Sequence, residues 1–127
     1  MSNVVTQGIR ISVESFYLPA KSQPERGQYI FAYTVRITNE GDAPAQLISR
    51  HWIIQDAYGR AEHVRGPGVV GAQPRLEPGQ SHEYTSFCPL GTPSGSMQGT
   101  YQMVRDGGDQ FDAAIGVFSL MAPHLLN

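Results

Sequence analysis

The chain has one cysteine, Cys88. No intrachain disulfide can form, so the fold does not depend on an oxidising compartment. There is one lysine, Lys21, beside eight arginines, and the eleven acids leave a net charge of −2. This balance lacks the basic surplus on which nucleic-acid binding rests. No apolar run nears the ~18 residues of a membrane span. The opening "MSNVVTQG" has neither the basic stretch nor the apolar stretch of a signal peptide. The expectation is a soluble, cytoplasmic protein with no membrane insertion. Few stretches reach about 10 residues without Gly or Pro, and the longest are rich in β-branched and aromatic residues, so no helix is predicted.

What is present is punctuation. Fourteen glycines and nine prolines divide 127 residues into pieces of strand length. In "QYIFAYTVRITNE", Tyr29, Phe31, Tyr33, Val35 and Ile37 share one face. "IRISVESFYL" alternates through Ile9, Ile11 and Val13 and loses phase near Ser15. Further strands are predicted in "QLISRHWIIQD", "AEHVR", "SHEYTSFCPL", "SMQGTYQMVRD" and "DQFDAAIGVFSL", the last two joined by a hairpin at Gly107-Gly108. The reading is one all-β domain over residues 1–127. It is an antiparallel β-sandwich of about seven strands, fibronectin type III-like or immunoglobulin-like. Residues 1–7 and 121–127 are expected to fray.

"HVRGPGVVGAQPRLEPG" carries Gly66, Gly68 and Gly71 in the spacing G-x-G-x-x-G. In a dinucleotide fold those glycines turn a strand into a helix whose N-terminus holds pyrophosphate. Here Pro74 and Pro78 forbid such a helix. Pro67 removes one N–H from the cradle, and no Gly-Lys-Ser/Thr follows for a Walker loop. The bland reading is a long loop across one end of a sandwich. The functional one is an anion nest of loop N–H groups flanked by Arg65, Arg75 and Arg50.

His51, His63, His82, His124 and Cys88 show no metal-ligand spacing, which leaves His51 and His63 as weak metal candidates. In "LISRHWII", either facing of a regular strand turns Arg50 or His51 toward the core, where it must find a partner. Cys88 reads as a small buried hydrophobe. Asp106, Asp109 and Asp112 surround a hairpin without EF-hand spacing, and read as a solvated turn. Gly99 in mid-strand marks a bulge or a close backbone approach. Tyr101 shares the core face with Met97 and Met103 and is expected to bond backbone at a sheet corner. Nothing signals an enzyme: catalytic residues and cofactors are both none.

"FAYTVR", "ITNEGDAPAQLISRHWII", "VRGPGVVGAQP", "LEPGQSHEYTS", "CPLGTPSGSMQGTYQM" and "FDAAI" together resemble the ApaG family. The resemblance implies a fibronectin type III-like sandwich. For bacterial single-domain members it implies an association with Co²⁺ resistance and Mg²⁺ efflux. Relatives at the ends of larger eukaryotic proteins imply a protein-interaction module. The family supplies no catalytic residues to carry over. The chain departs from the family's pattern at His63, where an acid is usual, and at Phe87, where glycine is. It departs also at Gly91, where Asp is usual, and near Gly116, where proline is.

Three functions of different classes fit. The first is a non-enzymatic module that contacts an unidentified protein partner and affects metal balance indirectly. The second is a binder of phosphate, pyrophosphate or a nucleotide at Arg65, Gly66, Gly68 and Gly71, aided by Arg75 or Arg50. The third is direct binding of a divalent cation.

Overall fold

The computed structural model describes residues 1–123. Nine strands follow in order: β1 (Ser2–Thr6), β2 (Ile9–Tyr17), β3 (Tyr29–Asn39), β4 (Ala45–Asp56), β5 (Ala61–Pro67), β6 (Arg75–Leu76), β7 (Ser81–Leu90), β8 (Ser94–Arg105) and β9 (Gln110–Met121). All seven predicted segments are strands. Two sheets face each other, one in the order β1-β2-β3-β7, the other β5-β4-β8-β9 with β6 added against β4. Every pairing is antiparallel. The protein is an antiparallel β-sandwich.

Residues 1–7 were expected to fray, and this is corrected. Ser2 to Thr6 pair with Val13 to Ile9 of β2. The turn between them places Gln7 and Gly8 at φ of 47° and 83°, the signature of a two-residue hairpin loop. At the other end Met121 belongs to β9, and Ala122 is buried with its N–H on Pro93 O at 3.0 Å. Residues 124–127, including His124, lie outside the described residues.

Alternation builds the core. Ile9, Ile11 and Val13 of β2 meet Phe31, Val35 and Ile37 of β3 on the inner face, and all six are almost fully buried. Trp52 of β4 is an aromatic hub. Its ring lies 5.3 Å from Tyr33, 6.0 Å from Phe118 and 6.2 Å from Tyr101, centroid to centroid. The expected corner bond of Tyr101 to backbone is replaced: its hydroxyl pairs with that of Tyr84, across the sandwich.

The two long sides of the sandwich differ. On one, β1 and β2 are stitched to β9. Ala114 N–H donates to Thr6 Oγ1 at 3.1 Å, and Ser15 Oγ donates to Ser119 O at 2.8 Å. A Cβ at Gly116 would lie 2.7 Å from Val4 Cγ2, so a side chain there would push Val4 aside. On the other side β7 and β5 end their sheets without meeting. A cleft of about 250 Å³ opens between them, lined by Tyr33, Arg50, Trp52 and Cys88 among others.

Candidate functional site

The site is made by an irregularity in β4. Its register against β8 slips by one residue between Leu47 and Ser49. The extra residue, Ile48, is pushed outward and stands 37% exposed. This resolves the choice that the sequence left open. Leu47 and Trp52 both lie inside only because the bulge resets the phase. Arg50 therefore points inward and His51 outward.

Arg50 finds its partners in the glycine loop. Its Nη1 donates to Pro67 O and to Gly68 O, both at 2.9 Å. The Ile48 carbonyl holds the same loop from the other direction, accepting Gly68 N–H at 2.9 Å and Gln73 Nε2 at 2.9 Å. Leu47 N–H adds a bond to Pro74 O at 3.0 Å. The tip is a two-residue turn, with Val69 N–H on Ala72 O at 2.8 Å and Ala72 N–H on Val69 O at 3.0 Å. Val70 and Gly71 sit at its centre with φ of 47° and 78°.

Each glycine of the spacing thus has a local cause. A Cβ on Gly66 would come within 2.9 Å of the Arg50 guanidinium, and one on Gly68 within 2.4 Å of Ala72 O. Gly71 has open space and needs only its left-handed φ. The proposed nest fares differently. The N–H groups of Gly68 and Val69 are spent on Ile48 O and Ala72 O. Arg75 lies away in β6, bonded to Asp106 and Glu77 at 2.5 Å each. Arg50 is turned under the loop. Of the named residues only Arg65 presents a cation freely, from the exposed outer face of β5.

The histidine pair is the sharper cluster. His51 Nε2 and His63 Nδ1 lie 2.9 Å apart on adjacent strands, and the rings are 5.1 Å apart. One must carry the shared proton, so the arrangement suits two neutral imidazoles. The His51 pKa is held below its ordinary value, first by partial desolvation, then by Arg65 and His63, with Asp112 of β9 pulling the other way. A native imidazole that resists protonation binds fewer protons than the unfolded chain. Its share of stability is complete above the ordinary value of about 6.5 and is lost as pH falls through it. We expect the melting temperature to fall from pH 7.5 to 5.5 and the fall to shrink in His51→Asn. Equal falls in both proteins, by scanning fluorimetry, would remove His51 from the account.

Other candidates are quieter. Cys88 is 2% exposed, and burial, aided by Glu62, pushes its thiol up to about 11. A thiol so protonated is a poor nucleophile. His82 lies half-buried on β7 beside Tyr84. Asp106 is tied to Arg75 rather than poised for a cation. The Gly99 expectation holds in both forms: the register of β8 against β9 shifts between Met97 and Gly99, and a Cβ at Gly99 would lie 2.1 Å from His51 O. Among the described residues no group of three or more His, Cys, Asp or Glu side chains could hold a metal ion. No helix among them is long and apolar enough to cross a membrane.

The sequence reading missed the outer face of the β1-β2-β3-β7 sheet. Phe16, Ala32 and Phe87 stand opposite one another on β2, β3 and β7. The two phenylalanines are 49% and 57% exposed, and Ala32 between them is buried at 7%. The signal was available: Phe16 falls on the side of β2 opposite Ile9, Ile11 and Val13.

A sandwich of this topology, with an arginine-held glycine loop at one end, defines a class of small all-β domain. The ApaG domain family matches residues 19–105. The protein ApaG of Anaeromyxobacter sp. (strain K) is 59% identical over 127 residues, all of both chains. That of Azotobacter vinelandii is 56% identical over 119 residues, 94% of each chain. The crystal structure of an ApaA protein from Bordetella pertussis, 55% identical, superposes with a TM-score of 0.88 over 91% of this chain and 94% of that one. The chain belongs to the ApaG family.

Proposed function

We propose that this chain is a non-enzymatic docking module that acts in the cytoplasm by contacting a protein partner. The row Phe16–Ala32–Phe87 carries the reading. Two large aromatic side chains half-exposed on a sheet face, with a buried alanine between them, form an apolar surface that folding alone does not require. The protonated, buried Cys88 supports the non-catalytic part of the reading. On this view the association with Co²⁺ resistance and Mg²⁺ efflux implied by the family is indirect, exerted through the partner. A photo-crosslinking residue placed at Phe16 or Phe87 in cells is expected to give a discrete adduct. The same residue at Asp109, exposed in the turn between β8 and β9 and on neither sheet face, is expected to give none. Adducts indifferent to position would overturn the proposal.

A second reading has one observation in its favour. The 2.9 Å spacing of His51 Nε2 and His63 Nδ1 suits two ligands on one ion of the imidazole-preferring kind, such as Co²⁺, whereas Mg²⁺ prefers oxygen. Titration with Co²⁺ should then broaden amides around residues 51 and 63 and spare them in His51→Asn. Broadening confined to other residues would dispose of this site.

A further inference from the structure

The outer face of the β5-β4-β8-β9 sheet holds a groove of about 550 Å³, bordered by Ile48, Arg50, His51, Arg65, Gln73 and Gln102. Its charge is one-sided. Arg10, Arg36, Arg60 and Arg75 each have a carboxylate partner. Among the described residues Arg26, Arg50, Arg65 and Arg105 have none within ion-pair distance. Of these Arg50 is spent on Pro67 O and Gly68 O beneath the loop, so Arg65 is the free cation at the groove, and no acid lines it. Asp112 lies beyond it, on β9 opposite Gln102.

Apolar groups stand in two places, one lining the groove and one at the tip of the loop whose Gly66, Pro67 and Gln73 border it. Ile48 is lifted outward by the bulge. Val70, at the tip of the same loop, is 68% exposed and has φ of 47°. A β-branched residue in the left-handed region is strained, and asparagine or glycine suits that turn position better. The strain is not offset by burial. Such a residue fits a contact made with something outside the chain. The groove floor is firm: Ser49 Oγ donates to Gln102 Oε1 at 2.8 Å, and Gln73 is bonded to the bulge carbonyl.

We infer that this groove docks an extended acidic segment of a protein partner, with carboxylates on Arg65 and aliphatic side chains against Ile48 and Val70. The inference rests on the docking reading above but uses the opposite face, so the domain would hold two surfaces of different chemistry. A carboxylate-bearing peptide fits better than a free phosphate for two reasons. The loop N–H groups of Gly68 and Val69 are already spent. The apolar borders have nothing to offer an inorganic anion. The groove is also shallow and runs across neighbouring strands, which suits a chain rather than an enclosed small molecule.

The test is amide shift mapping on the labelled, full chain with three probes. These are a short blocked peptide of alternating glutamate and leucine, its lysine-leucine counterpart, and inorganic pyrophosphate. The expected result is a salt-sensitive shift at residues 48, 65, 66, 73 and 102 with the glutamate peptide alone. Arg65→Glu should weaken it about tenfold or more. Val70→Asn should weaken it too while raising the melting temperature, a pairing of signs that a merely structural Val70 cannot produce. Equal response to both peptides, no response to the glutamate peptide, or response to pyrophosphate in its place would overturn the inference. None of these bears on crosslinks from Phe16 and Phe87, so the two readings fail separately.

Discussion

Alanine substitution at the three loop glycines should cost unequal amounts of stability, in the order Gly68, then Gly66, then Gly71. Gly68→Ala combines a left-handed backbone at φ of 61° with a Cβ 2.4 Å from Ala72 O, a backbone atom that cannot swing aside. The two effects sum to about 3 kcal/mol. Gly66→Ala asks only the Arg50 side chain to give way, and about 1–2 kcal/mol is expected. Gly71→Ala has open space and left-handed strain alone, about 1 kcal/mol. Urea unfolding of the three variants, without any ligand, measures the order. A phosphate cradle makes a different demand, since its glycines matter to affinity more than to ligand-free stability. Three equal, small losses would therefore sink the structural explanation of the motif.

Arg50→Ala is the second large effect, about 2–4 kcal/mol. The guanidinium satisfies two carbonyls, Pro67 O and Gly68 O, beneath a loop whose neighbour Val69 is 1% exposed. Hydrogen bonds to a charged group are worth about 1.5–3 kcal/mol, and losing the donor leaves acceptors short of partners. The loss should also be coupled to Gly66. With the guanidinium gone, the space that a Cβ at residue 66 needs is free. In the Arg50→Ala background, Gly66→Ala should therefore cost less than it does alone. A double-mutant cycle by urea unfolding gives the sign. Additive losses would mean that Arg50 and the loop are not mechanically joined.

The strands were legible because their information is local. In β3, Phe31, Tyr33, Val35 and Ile37 alternate with Arg36 and Thr38 as a half-buried strand demands. The loop was half legible. Its prolines excluded a Rossmann helix, but the reason for each glycine depended on contacts with β4, far off in sequence. Arg50 illustrates the limit. Periodicity offered Arg50 or His51 for the interior, and a one-residue bulge at Ile48, invisible to alternation, decided it. The histidine pair was missed as a pair because His51 and His63 sit twelve residues apart in no ligand spacing, and the β4–β5 hairpin brings them together. Residues 1–7 were misread because five short alternating residues carry too little pattern to announce a strand. Their inward side chains, Ser2, Val4 and Thr6, include just one hydrophobe.

The stitched side of the sandwich also bears on how the chain comes to be folded. Ser15 reaches Ser119 across 104 residues, and Thr6 reaches Ala114 across 108. The hairpins β1–β2, β4–β5 and β8–β9 close over short loops and can form early. The contacts that seal β1 and β2 against β9 must wait for the last strand, and a long loop has to be closed before they form. Folding of the isolated domain should therefore fall in the slow, millisecond-to-second range of β-sandwiches. During synthesis the first two strands would spend nearly the whole elongation of the chain with that flank uncovered.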